Sequence, residues 1–192
     1  MITSFLASIE RGCAWFGRVA SWTLPLLVVS VCVSVVLVQL RANELLHWGT
    51  SLPVFGQRLT LNGLNDLQWH LFAIVVMLGT VYALHDNAHV SVDFLASGFT
   101  PSTRKLITIV CDLVILLPFA CVMAWFSWQY VLNAYTSGEG SSYGGLGDRW
   151  IIKAVMPLGF GLLGLFGLAR ALRLSIELAT GRSTPGPTTV SP

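Results

Sequence analysis

Between Arg18 and Arg41 no side chain carries a charge. At 1.5 Å per residue, a run of about 20 residues reaches across the roughly 30 Å hydrocarbon core of a bilayer. Nothing else in the sequence narrows the choice of fold as much, because apolar backbone in lipid must satisfy its own hydrogen bonds, and a helix does this within one segment. Residues 19–40 are therefore expected to form a first transmembrane helix. The run is longer than a signal-peptide core and no small-residue cleavage site follows it, so the helix is expected to be retained. Only 10 % of residues are charged and 54 % are hydrophobic, where a soluble domain carries about a quarter charged residues. No polar stretch is long enough to fold alone, which points to one polytopic membrane domain.

The remaining spans follow from periodicity and punctuation. Ile2, Phe5, Leu6, Ile9, Cys13 and Phe16 recur at helical spacing among Ser4, Ser8 and Arg11, which suits an interfacial helix over residues 1–18. Residues 41–63 mix Leu45, Leu46, Trp48, Leu52 and Phe55 with polar residues and are broken by Pro53 and Gly56. This segment is expected to lie along the opposite interface without crossing. Asn65 or Asp66 is expected to cap a second helix over 66–84. Thr100-Pro101-Ser102 signals the start of a third, over 103–135, with Pro118 as its kink point. That helix exceeds the membrane thickness, and Trp125, Trp128, Tyr130 and Tyr135 crowd its far end as interfacial aromatics do. Ser137–Gly147 is a glycine-serine loop. A fourth helix covers 150–178, and the tail 182–192, rich in Pro, Ser and Thr, is expected to be disordered.

Four crossings put both termini on one side. Arg11, Arg18, Arg104, Lys105, Arg170, Arg173 and Arg182 fall on that side, and Arg41, Arg58, Arg149 and Lys153 on the other. Seven basic residues against four place both termini in the cytoplasm. The expected fold is an all-α membrane protein of four transmembrane helices with interfacial amphipathic segments.

Several polar groups stand out against this apolar background. His85, Asp86, His89 and Asp93 cluster after the second helix. Two histidines four apart share a helix face and with a carboxylate resemble a partial metal site, but a tight site needs a further ligand and no second cluster exists. The alternative is a polar helix end that contacts headgroups or a neighbouring chain. His70, near the outer end of the second helix, suggests haem ligation, yet the first, third and fourth helices contain no facing histidine. Asp112 lies inside the third helix, where an ionisable group is either a relay or one half of an ion pair with a residue such as Arg18 or Arg170. Gly161, Gly164 and Gly167 share one face of the fourth helix and invite close helix packing, within the chain or with a partner. Cys32, Cys111 and Cys121 sit in apolar runs, and there is no CxxC. No catalytic or phosphate-binding motif occurs, no basic patch with interleaved aromatics suits nucleic acid, and no inverted repeat suggests a self-sufficient carrier. No enzyme activity, cofactor or metal is expected.

Leu67-Gln68-Trp69-His70-Leu71-Phe72, then His89-Val90-Ser91-Val92-Asp93-Phe94-Leu95, then Gly138-Glu139-Gly140-Ser141 continuing through Gly144-Gly145-Leu146 to Arg149-Trp150, Lys153 and Pro157, resemble the small membrane subunit of tripartite ATP-independent periplasmic (TRAP) transporters, the DctQ-like family. The resemblance covers roughly residues 15–180. The family often carries a basic residue where this chain has Ser91. The resemblance implies a bacterial inner-membrane scaffold that holds a large TRAP membrane subunit, the site of sodium-coupled uptake, and meets a periplasmic substrate-binding protein that delivers an organic anion, usually a carboxylate. It makes His85, Asp86, His89, Asp93, Glu139, Arg149, Lys153, Gly161, Gly164 and Gly167 candidate partner contacts, with Asp112 and His70 as intramembrane polar groups. Two rival readings are an electron-transfer membrane anchor, motivated by the histidines, and an autonomous carrier built on Asp112.

Overall fold

The computed structural model describes residues 2–52, 56–86, 99–140 and 146–181. In chain order these form α1 (Ile2–Ser21), α2 (Thr23–Gln39), β1 (Glu44–Leu52), β2 (Gly56–Thr60), α3 (Leu61–His85), α4 (Pro101–Thr136) and α5 (Trp150–Thr180). Four segments are long and apolar enough to cross a membrane: α1 with α2, then α3, α4 and α5. This is the expected four-span helical fold. It carries one element that the expectation lacked, the β1–β2 hairpin.

α3 is the centre of the bundle and packs against α1, α2 and α5. Glycines bring two of these neighbours onto its backbone. A Cβ on Gly17 of α1 would lie 2.5 Å from the Leu78 carbonyl oxygen, and one on Gly159 of α5 would lie 3.1 Å from that of Met77. Two helices thus approach the same turn of α3. Cys13, Val81, Leu163 and Phe166 form the core where α1, α3 and α5 meet. α2 is held to α3 partly by hydrogen bonds. The Gln68 side-chain amide donates to the Ser30 carbonyl at 3.2 Å and to Ser34 Oγ at 2.8 Å. Such interhelical bonds contribute about 0.6 kcal/mol each in membrane proteins.

α1 differs from a separate interfacial helix over 1–18. It continues to Ser21, and only the turn residue Trp22 separates it from α2. Its stripe of Leu6, Cys13, Ala14, Gly17 and Ala20 is buried in the bundle, while Phe5, Trp15 and Phe16 remain exposed on the other side.

The segment expected to lie along the interface over 41–63 is a hairpin followed by the first turn of α3. Its register pairs Glu44 with Thr60 and His47 with Arg58, with irregularities between. Leu46 and Trp48, separated by His47, have the period of a strand. The entry is set by a Schellman turn: the Ala42 N–H donates to the Leu37 carbonyl and the Arg41 N–H to that of Val38, with Arg41 at φ 52°. Leu37, Leu59 and Leu64 then close a small core beneath the hairpin. α3 begins five residues before the expected Asp66. Its cap is Thr60, whose hydroxyl accepts the Gly63 N–H at 3.1 Å. Asp66 is free to face the loop before α5.

α4 begins at Pro101, capped by Thr100. The irregularity expected at Pro118 takes the form of a π turn over Asp112–Leu116, in which the Leu117 N–H bonds the Asp112 carbonyl. Proline has no N–H and its ring crowds the preceding turn, so one extra residue is accommodated there. The expected tail, 182–192, lies outside the described residues.

Gly17→Ala should lower the thermal midpoint of the detergent-solubilised chain, because overpacking against backbone costs about 1–3 kcal/mol. Gly12→Ala, where a Cβ meets nothing within 4 Å, should be neutral or stabilising by up to about 1 kcal/mol. Equal shifts for the two variants would contradict the close α1–α3 contact.

Candidate functional site

The buried and half-buried charges sort into groups at the two ends of the bundle. At the end that holds the termini, Arg173 of α5 donates from Nε and Nη2 to the Glu10 carboxylate of α1 at 2.7 and 3.0 Å, and from Nη1 to Glu177 at 3.1 Å. Glu177 also accepts from Lys105 Nζ of α4 at 2.7 Å. Two carboxylates and two cations thus join three helices with no net charge. Glu10, Arg173 and Glu177 are all buried.

One level deeper, Arg170 grips Asp112 with two bonds of 2.6 and 2.8 Å. Asp112 is only 2 % exposed. It lies about 16 Å along α4 from Pro101, at a depth where an unpaired carboxylate would cost several kcal/mol. Of the two cations weighed for it, Arg170 is the partner. Arg18 instead stacks over the Tyr82 ring.

His85 and Asp86 do meet, with Nδ1 to Oδ1 at 2.7 Å, and the His85 ring packs edge-on to Phe166 at 6.1 Å. The Asp86 carboxyl is held below its ordinary range by hydrogen bonds from His85 and then Tyr82. Its contribution to stability is present above the ordinary carboxylate range and is lost as the pH falls below it. His89 and Asp93, the other half of this cluster, lie outside the described residues. Among the described residues no group of three or more His, Cys, Asp or Glu is placed to hold a metal. His70 and His85 are separated by fifteen residues of α3, about 22 Å along the axis, so they cannot ligate one haem.

The opposite end is organised by Asp66 and Glu139. The Asp66 carboxylate accepts the Leu146 backbone N–H and an Arg149 guanidinium N–H, both at 3.2 Å. His70 Nδ1 lies 2.5 Å from the Asp66 carbonyl, which can only accept, so that nitrogen carries the proton. Glu139 is set by the Schellman turn that ends α4: its N–H bonds the Ala134 carbonyl and Gly138 adopts φ 59°. Its own carbonyl accepts the Arg149 N–H at 3.2 Å, and its carboxylate accepts from Lys153 Nζ at 2.5 Å. Lys153 also sits 3.8 Å above the centre of the Tyr130 ring. Three candidate residues, Glu139, Arg149 and Lys153, therefore close the neck of one loop, with Leu146 buried beneath it.

The glycine face divides. A Cβ on Gly164 would meet Ala120 at 3.2 Å and one on Gly167 would meet Leu116 at 2.6 Å, so both are used against α4 within this chain. Gly161 is exposed, with nothing within 4 Å.

Sequence reasoning missed Glu10, Arg173, Glu177 and Asp66 as site residues. The signal was present for the first three. Glu10 interrupts the apolar stripe Leu6–Cys13–Gly17 of an amphipathic helix, and Arg173 and Glu177 are four apart. Asp66 has the sequence context of a helix cap, and no local pattern announces its contacts with a loop eighty residues away.

Asp112→Asn should strand the Arg170 guanidinium and destabilise the chain by about 3–5 kcal/mol. Asp112→Leu combined with Arg170→Met should recover most of that loss. Thermal unfolding in detergent checks both. If the double variant were as unstable as the single, the pair would not be the cause.

A family model described as tripartite ATP-independent periplasmic transporters, DctQ component, matches residues 27–176. No curated protein and no solved structure matches the chain.

Proposed function

Because the chain belongs to the DctQ family, the small membrane component of tripartite ATP-independent periplasmic transporters, we propose that it is a rigid scaffold for a large TRAP membrane subunit. On this proposal the large subunit carries out sodium-coupled uptake of an organic anion, a carboxylate, delivered by a periplasmic substrate-binding protein. The chain holds a stationary part of that subunit while the substrate-carrying part moves, and it has no catalytic role. It resides in the bacterial inner membrane with both termini in the cytoplasm, as the excess of basic residues at the terminal end favours.

The observation that carries the proposal is the family match across residues 27–176. The pairing of charges supports it. Asp112, the group on which an autonomous carrier would depend, is engaged by Arg170. The loop neck of Glu139, Arg149 and Lys153 then faces the periplasm, where it offers a shaped surface to the binding protein. His85 and Asp86, at the end of α3, then face the cytoplasm, and exposed Gly161 allows a partner helix to approach α5 closely.

A mild-detergent pull-down of the tagged chain from its native membrane, read by mass spectrometry, tests the proposal. Recovery of a large polytopic protein is the expected result. Recovery of redox subunits, or of the chain alone, would overturn it. Glu139→Lys, which replaces the ion pair with Lys153 at the loop neck by a like-charge repulsion, should leave the large subunit bound and lower uptake driven by the binding protein. Unchanged uptake would remove that loop from the docking surface.

A further inference from the structure

A cleft of about 310 Å³ opens between α3, α4 and α5 at the end away from the termini. Its size lies at the lower limit of the roughly 300–1,000 Å³ typical of small-molecule sites. We propose that this cleft seats one phospholipid, with its phosphodiester at Arg149 and Lys153 and its acyl chains running inward between α3 and α5. The proposal goes beyond the scaffold function and holds whichever way the chain is inserted, because it refers only to the leaflet opposite the termini.

Three observations lead to this occupant. The first is the level. Asp66 and His70 lie in the first turns of α3, Arg149 and Lys153 at the start of α5, and Tyr130 near the end of α4. The cleft therefore sits where spans of this length emerge from hydrocarbon. Exposed Trp69 and Tyr130 flank it, as aromatics do at headgroup depth.

The second is the direction of polarity. The charged groups are at the outer edge, and Ala73 and Met156 lie one to two turns further in. The lining is mostly apolar. A free carboxylate or phosphate would use the cations and leave the apolar walls wet, whereas a phospholipid has the same outward-polar, inward-apolar order.

The third is the charge balance at the outer edge. Arg149 and Lys153 are balanced in charge by Asp66 and Glu139, so the site is neutral overall and offers cations for a phosphate beside carboxylates for an ammonium. A zwitterionic headgroup matches this better than a multiply charged anion.

The test is native mass spectrometry of the full-length chain, purified in mild detergent from its own membranes and from vesicles of phosphatidylethanolamine and phosphatidylglycerol. The wild type should retain one phospholipid, preferentially the zwitterionic one. Ala73→Trp, which fills the cleft, and Lys153→Gln, which removes a donor at similar length, should each lower retention about tenfold. Val114→Trp, on a 66 % exposed position of α4, should leave retention unchanged. If Ala73→Trp does not fold, Lys153→Gln decides. Equal retention in wild type and Lys153→Gln would overturn the proposal. So would displacement of the lipid by millimolar inorganic phosphate, which would mark a free-anion site, or a wild-type chain without lipid whose cleft is covered by a co-purified protein.

Discussion

A charge inside hydrocarbon must bring its counter-charge with it. Asp112 sits at such a depth, and Arg170 meets it with two hydrogen bonds. The pair fixes the rotation of α4 against α5, because turning either helix would separate charges that cannot be rehydrated. Glu10, Arg173, Glu177 and Lys105 repeat the device nearer the terminal end and extend it to α1. Replacing such networks with apolar residues is often neutral in stability, so their value lies in selecting one arrangement of helices over others. A single rigid arrangement is what the proposed scaffold role requires.

Close backbone approach completes what the ion pairs begin. Gly17 and Gly159 let α1 and α5 reach the same turn of α3, and Gly164 and Gly167 let α5 reach α4. Contact of this kind takes the place of the hydrophobic effect in lipid, where apolar side chains gain little by leaving the solvent. α2 is joined mainly to α3 and leaves Val28, Val29, Val35, Val36 and Val38 exposed. That surface is stable only against lipid or a partner.

The spans were legible in the sequence because each contains a long apolar run with few charges, a signal set by membrane thickness. Pro101 and Pro118 were legible because proline acts through its own ring, whatever the tertiary context. The hairpin was not recognised: its alternation is short, and the residues that stabilise it, Leu37 and Leu64, belong to neighbouring helices. The start of α3 was placed late because Asp66 has the chemistry of a cap and Thr60 was hidden inside the hairpin. For Asp112, sequence supplied two possible cations, and only packing distinguishes Arg170 from Arg18. The network around Arg173 spans 163 positions to Glu10, a pairing that no local pattern encodes. Of the titratable cluster after α3, His85 and Asp86 form a contact at the helix end, while His89 and Asp93 fall outside the described residues.

The most direct test of the central claim, that this chain braces a transporter and does not itself transport, is uptake into proteoliposomes. The large membrane subunit, this chain and the binding protein would be reconstituted singly and together, with an imposed sodium gradient. The account predicts no uptake by this chain alone, full uptake by the three together, and strongly reduced uptake when this chain is omitted. Uptake by the chain alone, or full-rate uptake without it, would contradict the account.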